Sequence, residues 1–313
     1  MPDYLTRLLL RLGAGVEQCE VQRRDLHAVY FAGAQAAEGG FPGRSGPSDL
    51  YYTGFGVRGL ATLGELDPER GERAAAYLRS RLVGKAPIVD FLSLVMAATT
   101  IEMATGVDAF RGAPAGWREA VARALEGLRR PDGGYAKTPD GGESSVYHSF
   151  LVLCCQQSLG LPTPDAEALV EMIRARQRDD GGYVEMAAMR RSGANPTAAA
   201  LGALSILGGL EAEASSGAAQ FLLELQNEEG GWAANTRIPL ADLLSTFTAL
   251  TTLAELGATS QADLTAARSY AESLQAPTGG FHGASWDDGV DVEYSFYGLG
   301  TLALLAGLDT EPA

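Results

Sequence analysis

The sequence predicts an all-α fold, a closed α/α barrel of six helical hairpins. Three observations carry that reading. The first is a period. A glycine pair followed by an aromatic stands at Gly39-Gly40-Phe41, Gly133-Gly134-Tyr135, Gly181-Gly182-Tyr183, Gly230-Gly231-Trp232 and Gly279-Gly280-Phe281. The last four pairs lie about 48 or 49 residues apart, a repeat spacing. The first gap is twice as long, so a unit that has lost its pair belongs there, at Gly84-Lys85-Ala86-Pro87. The second observation is an amphipathic helix before each loop. In 262–274, Leu264, Ala267, Ala271 and Leu274 recur at helical spacing with Arg268, Ser269 and Glu272 between them. The third is the helix after each loop. Residues 243–254, most of 198–210 and 294–308 carry no charge. A helix apolar on every side is buried on every side. Six amphipathic helices alternating with six buried ones predict two concentric rings, closed because an open stack exposes its end repeats.

In chain order the repeats span about 21–66, 67–106, 107–160, 161–210, 211–257 and 258–308, in one domain over 1–313. Residues 1–20 form an N-terminal extension with a short helix at 4–12, placed to cap the barrel or its edge. Each glycine pair is expected to end the outer helix before it by supplying positive φ at the C-cap. The aromatic after it is expected to pack in the seam between units. Each inner helix then opens on a polar residue in one register: Asp49, Asp90, Ser145, Asn195, Asp242 and Asp291. These types are preferred N-caps. They are also expected to rim a cavity, because every inner helix starts at the same end. Six converging helix N-termini there favour an anion. Three residues on stand Tyr52, Ser93, His148, Ala198, Ser245 and Tyr294, on nearly the same face as the cap. With Tyr51, Phe55, Phe150, Phe247, Phe296 and Tyr297 they describe an aromatic cavity with a polar mouth, suited to a long apolar ligand with a polar head.

Charge limits the partners. The net charge is −15 and the only lysines are Lys85 and Lys137. An acidic exterior disfavours nucleic acid and anionic membranes. No stretch reaches the roughly 18–20 uncharged apolar residues of a membrane span. The first residues show no apolar signal core, and Cys19, Cys154 and Cys155 make no CxxC spacing. A reducing, cytoplasmic setting fits.

Specific motifs narrow the reading. Gln226-Asn227-Glu228-Glu229-Gly230-Gly231-Trp232 resembles the Q-x-x-x-G-x-W repeat shared by squalene cyclases and protein prenyltransferase β subunits. The run from Leu274 to Phe281, with Val290-Asp291 and Gly298-Leu299-Gly300-Thr301-Leu302, is similar to the last prenyltransferase repeat. Phe41-Pro42-Gly43-Arg44 and Asp49-Leu50-Tyr51-Tyr52-Thr53 resemble an early repeat of the geranylgeranyl-transferase type. The likeness covers about 25–308. It implies a six-fold α/α toroid with an isoprenoid tunnel. It also implies an isoprenoid diphosphate as ligand, a helical α-subunit-like or peptide partner, and a zinc ion held by Asp-x-Cys and His. Asp242-Leu243-Leu244 keeps the Asp but has Leu244 for the Cys, and Tyr294 stands for the His, so the zinc site is not intact. Nor is there a D-x-D-D acid of the cyclase type.

The resemblance places diphosphate-gripping cations in the fourth- and fifth-repeat loops, where Arg190, Arg191 and Arg237 stand. With Lys137, His148 and Arg44 they form the candidate basic set, joined by Tyr52, Phe247 and Tyr297 as substrate-binding residues. Asp242, Asp291 and Tyr294, with His148 for proton transfer or diphosphate contact, are the catalytic candidates. The acidic residues around Asp242 and Asp291 suit a divalent cation such as Mg or the orientation of a nucleophile. Three readings follow: a prenyl-transferring protein, a non-catalytic isoprenoid or peptide binder, and a scaffold for a partner. Metal analysis after dialysis is expected to show less than stoichiometric zinc; one tightly held equivalent would restore the zinc-dependent reading.

Overall fold

The computed structural model describes residues 2–81 and 88–310. The expected loop at Gly84-Lys85-Ala86-Pro87 lies outside the described residues. Contacts divide the chain into two compact units, residues 1–115 with 271–313, and residues 116–270.

The first unit contains α1 (Tyr4–Val16), α2 (Val21–Ala34), α3 (Leu50–Thr62), α4 (Pro68–Arg81), α5 (Ile88–Thr105) and α13 (Val292–Leu308). Two short antiparallel pairs accompany them. Strand β1 (Phe41–Pro42) pairs with β2 (Ser48–Asp49), and β3 (Phe281–His282) with β4 (Val290–Asp291). The inner helices pack in a row, α13 on α3 and α3 on α5, with α2 and α4 applied outside. Helix α1 runs four residues past the expected end at Leu12 and covers α13 and α3. It approaches so closely that a Cβ on Gly15 would sit 2.0 Å from the carbonyl oxygen of Ala303.

The second unit contains α6 (Trp117–Glu126), α7 (Val146–Leu159), α8 (Ala166–Arg174), α9 (Ala194–Leu207), α10 (Ala212–Glu224) and α11 (Leu243–Glu255), with most of α12 (Leu264–Ser273). Again the apolar helices pack in a row, α7 on α9 and α9 on α11. Their starts lie at one end. The first N–H of α7, on Val146, donates to the Glu185 carbonyl before α9 (3.0 Å), and the first N–H of α9, on Ala194, to the Ala234 carbonyl before α11 (2.9 Å). No helix among the described residues is long and apolar enough to cross a membrane.

One set of contacts repeats through both units. The loop aromatics Phe41, Tyr135, Tyr183, Trp232 and Phe281 are all fully buried. Each donates its backbone N–H to a hydroxyl one turn inside the following inner helix: Thr53, Ser149, Thr197, Thr246 and Ser295, at 2.9–3.0 Å. All five hydroxyl residues are themselves inaccessible to solvent. Loop, cap and helix are thereby locked in register. The glycine pairs serve this loop rather than the outer-helix C-cap expected for them. Outer helices end on right-handed residues such as Ala175 and Leu225, and the positive-φ glycine comes about five residues later. Glycine does close inner helices, as Gly160 (φ 64°) and Gly208 (φ 68°) show. The loop glycine also permits close approach to the next outer helix. A Cβ on Gly279, at φ 91°, would lie 2.3 Å from the Leu26 carbonyl oxygen. The glutamine of the Q-x-x-x-G motif spans the same seam: Gln226 Nε2 donates to the carbonyls of Gly230 and Asp263, each at 2.9 Å.

Two expected caps move. Asp49, Ser145, Asp242 and Asp291 each accept the backbone N–H three residues on. The fourth-repeat cap is Gly193, not Asn195, because Tyr183 pairs with Gly193 as Tyr135 pairs with Ser145. Asn195 lies inside α9, and its Oδ1 accepts from the Thr248 hydroxyl at 2.8 Å. Asp90 lies in the first turn of α5, not before it.

Replacing Thr246 by valine keeps shape but leaves the buried Trp232 N–H unpaired. Thermal or denaturant unfolding is expected to show a loss of about 1–3 kcal/mol. Ser269→Ala, on an exposed face, is expected to stay within about 0.5 kcal/mol.

Candidate functional site

In the first unit the starts of α3 and α13 bring six aromatic rings together. Tyr51, Tyr52 and Phe55 come from α3 and Tyr294, Phe296 and Tyr297 from α13. Ring centroids lie 5.1 Å apart for Tyr51–Phe55, 5.3 Å for Phe55–Tyr297, 5.9 Å for Phe55–Phe296 and 6.1 Å for Tyr294–Tyr297. These are edge-on and tilted contacts, the geometry the ring quadrupole favours. Phe55, Phe296 and Tyr297 are buried; Tyr51, Tyr52 and Tyr294 are half-buried.

Two charged groups are embedded in the cluster. Arg58 places its guanidinium 4.3 Å from the Phe55 centroid and 4.8 Å from that of Phe296, while its Nε donates to the Gly54 carbonyl at 3.0 Å. Glu293 accepts from the Tyr51 hydroxyl at 2.6 Å and the Tyr297 hydroxyl at 3.4 Å. Burial pushes the Glu293 carboxyl above the usual carboxylate range, against the Tyr51 bond that draws it down. Neither Arg58 nor Glu293 is assigned a role from the sequence. The available signal for Arg58 is that it is the sole charge in α3.

Arg44 closes the mouth of this cluster. Its Nη1 and Nη2 form a fork on Asp287 at 2.8 and 2.5 Å, and its Nε donates to Asp291 at 2.7 Å. The guanidinium also lies 5.5 Å from the Tyr294 centroid. A Cβ on Gly289 would come within 2.4 Å of Arg44 Nη1, so glycine there makes room for the fork. The Arg44 bonds hold Asp287 below the ordinary carboxylate range. Asp291 therefore has two tasks, as cap of α13 and as partner of Arg44. Burial, and then the Asp49 charge, raises the pKa of Asp90. The Tyr52 phenol is likewise raised, first by burial and then by Asp291.

The other candidates belong to the second unit. Asp242 accepts from Ser245 N at 2.7 Å and Ser245 Oγ at 2.8 Å, and burial raises its pKa. Phe247 is buried in α11. Lys137, Arg190, Arg191 and Arg237 are exposed and make no ion pair among the described residues. His148 stands at the start of α7, half-buried, with its Nδ1 2.9 Å from Ser145 Oγ. Residues brought together within one unit are thus Arg44, Tyr52, Asp291, Tyr294 and Tyr297.

A family model described as the prenyltransferase alpha-alpha toroid domain matches residues 91–216 and 197–312. The chain belongs to that family. Among solved structures, Candida albicans protein geranylgeranyltransferase-I complexed with GGPP is similar over 90% of each chain, with TM-score 0.70 and 14% identity. A variant of the type II terpene cyclase MstE from Scytonema, in complex with its substrate geranylgeranyl dihydroxybenzoate, is similar over 97% of this chain and 99% of that one, with TM-score 0.59 and 17% identity. A protein from Actinoplanes is similar over 93% and 100%, with TM-score 0.60 and 17% identity. No curated protein sequence matches. At such identities the structures show the fold, which is the α/α toroid predicted from the alternating helices.

Zinc is the metal that prenyltransferase-type resemblance implies, and the donors at the matching positions do not fit it. Asp242 is committed to its helix cap, Leu244 offers no donor atom, and Tyr294 offers a phenol instead of an imidazole. Among the described residues, no group of three or more His, Cys, Asp and Glu side chains is placed to hold a metal ion.

Glu293 supplies a test that needs no ligand. Its folded pKa is raised, so its stabilising contribution is present below the unfolded value near 4.5 and lost as pH rises through the folded value. Glu293→Gln is therefore expected to gain stability relative to wild type at pH 7.5 compared with pH 4.5. Melting curves of both proteins at the two pH values read the difference, in which other titrating groups cancel.

Proposed function

We propose that the chain binds an isoprenoid diphosphate against the aromatic cluster of α3 and α13 and transfers or otherwise processes the prenyl group. The observation that carries this reading is the ring cluster itself, with a guanidinium over two of its rings and a fork-held mouth. Six π-faces suit a polyunsaturated chain and stabilise cationic character that develops along it. Membership of the prenyltransferase toroid family supports the substrate class. So do the GGPP and the geranylgeranyl dihydroxybenzoate carried by two structurally similar proteins.

A second reading, a binder without turnover, draws on the commitment of Asp242 and Asp291 to helix caps and on the missing zinc ligands.

Titration with geranylgeranyl diphosphate and farnesyl diphosphate tests the reading. Wild type is expected to bind at least one of them. Phe55→Ala is expected to weaken binding about tenfold or more, equivalent to about 1.4 kcal/mol. Binding that is indifferent to Phe55→Ala refutes the assignment. Product formed from labelled diphosphate separates turnover from binding.

A further inference from the structure

Three polar side chains meet at the start of α7. Ser145 caps the helix, and its Oγ accepts the backbone N–H of His148 at 3.1 Å. The same oxygen lies 2.9 Å from His148 Nδ1 and donates its hydrogen to Glu185 Oε1. Glu185 arrives from the loop before α9, and the repeat delivers it. Its carbonyl takes the Val146 N–H just as the Ala234 carbonyl takes that of Ala194. The residue two past the loop aromatic is Gly43, Lys137, Glu185, Ala234 or Gly283, so only the junction of third and fourth repeats has a carboxylate there.

Counting protons fixes the roles. A serine hydroxyl has one hydrogen and two lone pairs. The hydrogen goes to Glu185; burial raises the pKa of this carboxyl, and the bonds it accepts from Ser145 and from the Tyr147 N–H draw it back towards the carboxylate. One lone pair takes the His148 N–H. The remaining lone pair faces Nδ1, which must then carry a proton. His148 is held as the Nδ1–H tautomer, and its Nε2 presents a lone pair. Burial, with Lys137 next, lowers the pKa of the ring and favours the neutral form in which that lone pair exists.

We propose that Ser145 and Glu185 are positioning residues that fix this tautomer, so that His148 presents Nε2 as a proton acceptor. The imidazolium formed when Nε2 takes a proton is stabilised through Ser145 by the Glu185 carboxylate.

Long-range proton–nitrogen NMR of the ¹⁵N-labelled full chain tests this. Only His27, His148 and His282 contribute, and His→Gln variants assign them. Neutral His148 is expected to show a protonated Nδ1 and an unprotonated Nε2. Glu185→Leu removes the acceptor, so the serine hydrogen turns to Nδ1 and the tautomer flips. Glu185→Gln keeps an amide oxygen in place and preserves the wild-type tautomer, which separates the relay from general damage. An Nε2–H tautomer in wild type, or no change in Glu185→Leu, overturns the proposal.

Discussion

Five of the repeats each hang on one buried hydroxyl. The loop aromatic sinks its ring into the core, which takes its backbone N–H out of water along with it. An unpaired N–H there costs about 1–3 kcal/mol. Thr53, Ser149, Thr197, Thr246 and Ser295 answer it from one turn inside the next helix. Because the same helix is capped four residues earlier, the bond fixes its rotation as well as its depth. The residue three past the cap then has no freedom of face. Tyr52, His148, Ser245 and Tyr294 are each held at that place by a backbone N–H to the cap.

That constraint explains which parts of the fold were legible. The glycine–aromatic period and the charge-free helices are direct consequences of a repeated buried seam, so they stand out in the sequence. The cap in the fourth repeat did not, because Gly193 has no side chain to advertise it and Asn195 nearby is a good capping type. The fixed distance from aromatic to cap, ten residues in the third to sixth repeats (135 to 145, 183 to 193), carries the information instead. The glycine pairs were placed correctly along the chain and assigned the wrong task. Positive φ is needed both in a helix C-cap and in a tight loop, and composition does not separate the two.

The candidate site was legible by residue type and not by pairing. Tyrosines and phenylalanines near the starts of α3 and α13 suggested an aromatic lining, and they do meet. What sequence could not supply is that Arg44 reaches Asp287 and Asp291 across about 245 residues of chain. A cation counted as available for a ligand is thereby tied into the rim, and an acid counted as a catalyst is tied to it. Conversely, Lys137, Arg190, Arg191 and Arg237 make no ion pair among the described residues, and Glu293 and Arg58 emerge from positions that looked incidental. Ser145, read as a plain cap, turns out to be the atom through which an imidazole and a carboxylate communicate.

The division of the chain bears on how it is assembled. The second unit is continuous, residues 116–270, so its contacts close over short stretches of polypeptide and form early. The first unit joins residues 1–115 to 271–313, and its seam between α1 and α13 brings together segments nearly a whole chain apart. During synthesis, α3 emerges long before α13 exists to cover it. Its exposed apolar flank must wait, or be shielded, until the last helix arrives. The aromatic cluster joins α3 to α13, so it is complete only once α13 has been made.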